Sequence, residues 1–189
     1  MLIYRLIQTC DGIALLGWYD HRIAVFVFPQ SSPEKGMERM TTYHLPPYDQ
    51  IERGKTSPDP TLEEKIISYF EGTPVDFPEP VYLDHLSPFC QIVLQMIRSI
   101  PRGQAMTYKQ VAKMVNHPRA ARAVGQVMSM NPIPLIIPCH RVIAHDHLGG
   151  FGFGLPWKAH LLSLEHFNLD SLPHRSSFYP PPGKEQPTV

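Results

Sequence analysis

Thr107-Tyr108-Lys109-Gln110-Val111-Ala112-Lys113-Met114-Val115, then Asn116-His117-Pro118, then Arg119-Ala120-Ala121-Arg122-Ala123-Val124-Gly125-Gln126-Val127-Met128 is the stretch that settles the architecture. Thr107 is a residue type that caps helix N-termini by accepting a bond from a first-turn amide. Asn116-His117-Pro118 is a tight turn, with the proline placed to start a second helix at Arg119. Two short helices joined by a turn of about three residues make a helix-turn-helix. The second helix is rich in small side chains, which lets its backbone approach a groove wall. Lys109, Lys113 and Arg119 are placed for salt-dependent phosphate contacts. On spacing alone, an ordinary helical hairpin would read the same way.

Charge separates the two readings. The 189 residues carry zero formal net charge, but the charges are segregated. Met1 to Asp84 holds 7 Lys/Arg against 13 Asp/Glu, whereas the 61 residues from His85 to His145 hold 7 basic residues and no acid. A basic segment of that length in a neutral protein suits a polyanion, so the helix pair reads as a DNA-binding element.

Downstream of the pair lies Asn131-Pro132-Ile133-Pro134-Leu135-Ile136-Ile137-Pro138-Cys139-His140-Arg141-Val142. Its prolines fix φ and remove backbone donors, which predicts a rigid extended rail rather than a helix. A rail ending in Cys-His suits a nucleophile held still, although a buried structural cysteine would give the same letters. Beyond it, Gly149-Gly150-Phe151-Gly152-Phe153-Gly154 permits close backbone approach to a ligand and supplies aromatic walls. Trp157 to Phe167 reads as a helix with Glu165 near its end. Residues 170–189, with Pro180-Pro181-Pro182, read as a mobile tail.

Upstream, Leu2–Ile7, Ile13–Tyr19 and Arg22–Pro29 read as strands of an antiparallel meander, punctuated by Asp11-Gly12 and Asp20-His21. Gln30 to Pro60 reads as a long loop. Thr61, with Glu64 three positions on, predicts a helix start, and Gly72 a stop. Thr73 to Asp84 reads as a linker or edge strand. Ser87-Pro88 opens a helix through Phe89, Ile92, Val93, Met96 and Ile97, on which Cys90 is expected to pack. Cys10, Cys90 and Cys139 are odd in number and widely spaced, which points to free thiols in a reducing compartment and no metal. No run of about 18 apolar residues and no signal-peptide pattern occurs, so no membrane contact is expected.

Pro138-Cys139-His140-Arg141-Val142, preceded by Asn131-Pro132 and by Arg119 to Gly125, resembles the O6-alkylguanine-DNA alkyltransferases, that is, the methylated-DNA–protein-cysteine methyltransferases. The likeness runs from Ser87 to Glu165. It implies an α+β fold: a small ribonuclease-H-like antiparallel-sheet domain over 1–84, then a mostly helical domain with a helix-turn-helix over 85–169. It further implies irreversible transfer of an alkyl group from O6 of guanine, with O4-alkylthymine as a further substrate, in double-stranded DNA. The protein would act once, as a monomer without cofactor, in the cytoplasm or nucleoid, or in a nucleus.

The resemblance assigns roles residue by residue. Cys139 becomes the acceptor, His140 its base through a water, and Glu165 the group that orients the imidazolium. Tyr108 donates to the departing base, and Asn131 braces the turn before the rail. Arg122 enters the stack in place of the flipped nucleotide. Ala121 and Gly125 keep that helix slim in the minor groove, while Lys109 and Arg119 join the DNA contacts. Met128, Pro134, Phe151, Gly152 and Phe153 would wall the base, with the Val142 carbonyl accepting from its exocyclic amine. Arg141 is expected to serve a phosphate or structural contact. Many relatives carry Tyr-Ser-Gly-Gly where this chain has Phe151-Gly152-Phe153-Gly154, which removes a side-chain hydroxyl and implies a narrower pocket. Two other readings stand beside this one: a non-repairing sensor of alkylated DNA, which would lack the acceptor cysteine, and a Cys-His-Glu hydrolase, which would need an oxyanion hole.

Overall fold

The computed structural model describes residues 1–43, 45, 50–56, 58–169 and 172. The expected mobile tail therefore lies outside the described residues, apart from Leu172. Strands β1 (Leu2–Thr9), β2 (Gly12–Tyr19) and β3 (Arg22–Gln30) form the expected antiparallel meander. Asp20 and His21 both adopt positive φ, 51° and 57°. Two such residues give the primed turn whose twist matches the flanking strands.

The reading of 30–60 as loop is corrected by two elements. Helix α1 (Pro33–Thr41) is capped by Ser32, whose hydroxyl accepts from the Lys35 amide, with Pro33 in the first turn. Its run Pro-Glu-Lys-Gly-Met-Glu-Arg-Met-Thr has too few apolar residues to show a helical period, so the cap and proline were its only signals. Strand β4 (Ile51–Arg53) adds to β1 in parallel, giving the order β3-β2-β1-β4 and making the sheet mixed. All three β4 residues are exposed, so no alternation marks it.

Helix α2 (Pro60–Phe70) starts one cap earlier than expected. Asp59, rather than Thr61, accepts from the Leu62 amide at 3.1 Å. The Thr73–Asp84 segment runs along the sheet edge, where Ile23 donates to Pro80 and Tyr82 donates back to Ile23.

The second half is built of α3 (Pro88–Arg98), β5 (Met106–Thr107), α4 (Tyr108–Met114), α5 (Ala121–Ser129), β6 (Val142–Ile143) and α6 (Leu155–Leu164), with β5 and β6 pairing in parallel. Ser87 caps α3, and Thr107 with Gln110 makes a full capping box on α4. Helix α5 begins at Ala121 rather than Arg119. His117 to Ala120 close a turn of their own through an Ala120 N–H to His117 C=O bond, and no side chain caps the helix. Helices α3, α4 and α5 pack on one another, and one cluster of buried side chains joins Phe26, Phe28 and Leu62 to Val93, Val124 and Leu161. Cys90 packs in that core. Among the described residues no helix is long and apolar enough to cross a membrane.

Candidate active site

Asn131 comes two residues after the end of α5 and is buried. Its amide donates to the Ile137 carbonyl at 2.9 Å and its oxygen accepts the Ile133 N–H at 3.1 Å. The chain between them reverses: Ile137 N–H donates to Ile133 C=O, and Leu135 takes φ of 74°. The expected extended rail is therefore a buried turn. The prolines do exclude a helix, but they leave Leu135 free to turn the chain, and a left-handed leucine is not readable from letters. The turn is tied to the sheet by Phe26 N–H donating to the Pro132 carbonyl at 2.9 Å. The two Asn131 bonds tie together the two arms of this turn.

The turn delivers Cys139 into a short 3-10 helix, Cys139–Arg141, with the sulfur-bearing residue only 6 % exposed. Burial pushes this thiol up. Opposing that, a hydrogen bond from the Asn131 side chain, the charge of Lys158 and the backbone amides of Cys139 and His140 favour the thiolate. These are the features that make a buried thiol usable as a nucleophile.

His140 is fully buried, with Nε2 2.9 Å from Oε1 of Glu165. Since Nε2 faces a carboxylate, the hydrogen-bond network places the ring proton there and leaves Nδ1 as the lone pair. Nδ1 is buried and has no partner among the described residues. Burial lowers the imidazole's affinity for a second proton, while Glu165 works the other way. A neutral ring with a free Nδ1 is what a base acting on a nearby thiol requires.

Glu165 caps the end of α6 and gathers more partners than the sequence suggested. Arg141 donates from Nη2 to Oε1 at 2.8 Å and from Nε to Oε2 at 2.9 Å. The hydroxyl of Tyr69, from α2, donates to Oε1 at 2.6 Å. Burial alone would raise this carboxyl, but His140 and Arg141 outweigh it and hold it well below the usual range. Arg141 is thereby placed on the structural side of its two expected roles. Tyr69 was hidden because Ile66, Ile67, Tyr69 and Phe70 read as one apolar helix face.

Lys158 was also missed. Its side chain is fully buried, and Nζ donates to the Val142 carbonyl at 2.6 Å and the Gly150 carbonyl at 3.1 Å. Burial lowers it to about 8. Its only signal was a lysine set among Leu155, Trp157, Leu161 and Leu162. The Val142 carbonyl, expected to meet a base amine, already receives this ammonium.

The remaining candidates fall on two surfaces. Tyr108 opens α4 half-buried, under the loop that contains Gly149. A Cβ on Gly149 would meet the Tyr108 hydroxyl at 2.9 Å, and the residue has φ of 74°, so glycine is required there. Gly125 faces the same ring from α5. Met128 is half-buried and Pro134 buried, both beside the turn. Phe151 and Phe153 lean on the sheet, 5.8 and 4.7 Å from the Phe28 ring. The carbonyl of Gly152 accepts from Arg39. Arg122, Arg119, Lys109 and Lys113 are all exposed, with Ala121 beside Arg122 at the start of α5.

Residues 88–167 match the family model described as 6-O-methylguanine DNA methyltransferase, DNA binding domain. The chain is 43 % identical over 111 residues to the methylated-DNA–protein-cysteine methyltransferase of Sulfolobus acidocaldarius, covering 59 % of this chain and 70 % of that one. It is 42 % identical over 106 residues to the protein of the same name from Methanopyrus kandleri, covering 56 % and 79 %. In structure it resembles Mycobacterium tuberculosis OGT crystallised in complex with DNA, with a TM-score of 0.71 and 28 % identity over 87 % of this chain and 93 % of that one.

Proposed function

The chain belongs to the methylated-DNA–protein-cysteine methyltransferase family, and from that premise we propose that it repairs DNA by moving an alkyl group from O6 of guanine irreversibly onto Cys139. The observation that carries this reading is the buried series Cys139, His140 and Glu165, in which an ionised carboxylate backs a neutral imidazole beside a braced thiol.

The reaction is a displacement at the alkyl carbon. His140 takes the thiol proton at Nδ1, through a water, and Glu165 stabilises the imidazolium that results. Sulfur bonds to carbon as the carbon–oxygen bond breaks, and the electron pair leaves with guanine. Tyr108 donates toward the base as that charge develops, and Lys158 keeps a positive charge in the same enclosure. The guanine anion takes up one proton through Tyr108, balancing the one lost by the thiol, and the products are a thioether and unmodified guanine, so each molecule acts once.

The target atom lies inside the stack, so the nucleotide is flipped out and Arg122 fills its place. Lys109 and Arg119 hold phosphates, and Ala121 and Gly125 allow α5 into the minor groove. Met128, Pro134 and the loop Phe151–Gly152–Phe153 enclose the base. The division of labour falls at residue 84: the first part buttresses the site, and 85–169 bind DNA and react. O4-alkylthymine is a second substrate for the same displacement, and the protein works as a monomer wherever its DNA is held, cytoplasm, nucleoid or nucleus.

The reading is tested by following a duplex with one O6-methylguanine by chromatography of its nucleosides. Wild-type protein at one equivalent should convert the lesion to guanine, and Cys139→Ala should bind the duplex yet convert none. Conversion by Cys139→Ala would remove the acceptor role.

A further inference from the structure

We propose that Arg39, on α1 of the N-terminal part, determines the size of alkyl group that Cys139 accepts, by latching the loop Phe151–Phe153 against the sheet; the inference rests on the alkyl-transfer reading above. No motif singles out Arg39, and it lies 100 residues from the acceptor. In the structure its Nη2 donates to the Gly152 carbonyl at 2.5 Å, and its guanidinium carbon sits 4.6 Å from the centre of the Phe153 ring. Phe153 is in turn edge-on to Phe28 at 4.7 Å and 6.5 Å from Tyr43, whose hydroxyl donates to the Phe26 carbonyl. The far end of the loop is held separately, by Lys158 on the Gly150 carbonyl.

The loop is thus pinned on both sides, and Phe151 and Phe153 pack on the same core cluster as Cys139, whose residue is only 6 % exposed. A methyl group adds one carbon to the base and asks little of that enclosure. A benzyl group requires the loop to move, and moving it means breaking the guanidinium's contacts with both a carbonyl and a ring. Only arginine can make both, because its planar fork donates in plane and stacks through its face. The latch can open: Nε is buried without an acceptor among the described residues, so one carbonyl and one ring are the contacts to be given up. Arg39 acts through its contacts with Gly152 and Phe153, so it is a positioning residue for the pocket wall.

The test compares wild type, Arg39→Met and Arg39→Lys on duplexes carrying O6-methylguanine or O6-benzylguanine, reading single-turnover transfer from the mass of the intact protein. Wild type should prefer methyl, and Arg39→Met should raise the benzyl-to-methyl rate ratio by about tenfold, the effect of losing one such contact from the barrier. Arg39→Lys keeps the charge but loses the stacked fork, so it should raise the ratio less; it also decides the matter should the methionine variant fail to fold. A looser loop with a general structural role would lower both rates together. An unchanged ratio in the variants, or a wild type that takes benzyl as fast as methyl, overturns the proposal. A wild type that takes neither group overturns the alkyl-transfer reading and this inference with it.

Discussion

His140 Nε2 lies 2.9 Å from Glu165 Oε1, and both side chains are fully enclosed. The pair is buried as neutral imidazole and ionised carboxylate, so both members bind protons less readily folded than unfolded. Each therefore contributes stability that is present above its unfolded pKa and lost as pH falls. The unfolded values are about 6.5 for His and about 4.3 for Glu. Thermal stability should fall in two stages on acidification, first below about pH 6.5 and more steeply below about pH 4.3. Glu165→Gln should flatten the second stage, with melting temperature followed from pH 7 to pH 3.

Glu165→Ala should be costlier than any surface change. It leaves the partly buried Arg141 guanidinium without its carboxylate, a loss approaching the about 3–5 kcal/mol of breaking a fully buried pair. Denaturant titration measures it. Tyr69→Phe removes only one hydroxyl from the same oxygen and should cost about 1–3 kcal/mol, by lost bonding to a charged acceptor.

Asn131→Ala should unbrace the turn that delivers the thiol. The Ile137 carbonyl and Ile133 amide lose their partner inside the core, at about 1–3 kcal/mol for each group left unsatisfied. The thiol also loses a hydrogen bond that favours its ionised form. The pH midpoint for Cys139 reacting with iodoacetamide should therefore rise in the variant.

Lys158 should reveal itself on the alkaline side. Folding lowers it from the ordinary lysine range to about 8, so its burial penalises the folded state at neutral pH. That penalty, about 3 kcal/mol from the shift, is relieved as pH rises from about 8 to about 10.4. The stability difference between Lys158→Met and wild type should therefore shrink across that window. At neutral pH the variant should be the more stable protein and the less reactive thiol, since the cation that favours the thiolate is gone.

Arg122 and Lys109 should separate flipping from binding. Lys109→Ala should weaken DNA binding uniformly and reduce the slope of log affinity against log salt by about 1. Arg122→Ala should slow repair of a paired lesion far more than of a mispaired or single-stranded one. Equal slowing on all three substrates would contradict the finger role.

The sequence made some features legible and hid others, for physical reasons. Local rules placed β1 to β3 and the Ser87 and Thr107 caps, because turns and caps depend on neighbouring residues, whereas α6 was read as Trp157 to Phe167 and spans Leu155–Leu164. Motif likeness, not periodicity, gave Cys139, His140 and Glu165 their roles. Helix α1 and strand β4 stayed hidden because a polar helix and an exposed edge strand carry little periodic signal. Leu135 turned a stretch that proline content made look straight. Tyr69 and Arg39 reach their partners Glu165 and Gly152 across 96 and 113 residues of sequence, and nothing local says that a tyrosine on an apolar face will find a carboxylate or that a lysine on an apolar helix will turn inward. The loop aromatics face the sheet for the same reason: Phe28 and Arg39 decide their direction.

The most direct measurement is the mass of the intact protein after incubation with excess O6-methylguanine duplex, followed by peptide mapping. The added mass should plateau at one methyl group per molecule, located on Cys139, with no further lesion consumed. Continued consumption of lesion beyond one equivalent, or a methyl group on any other residue, would contradict it.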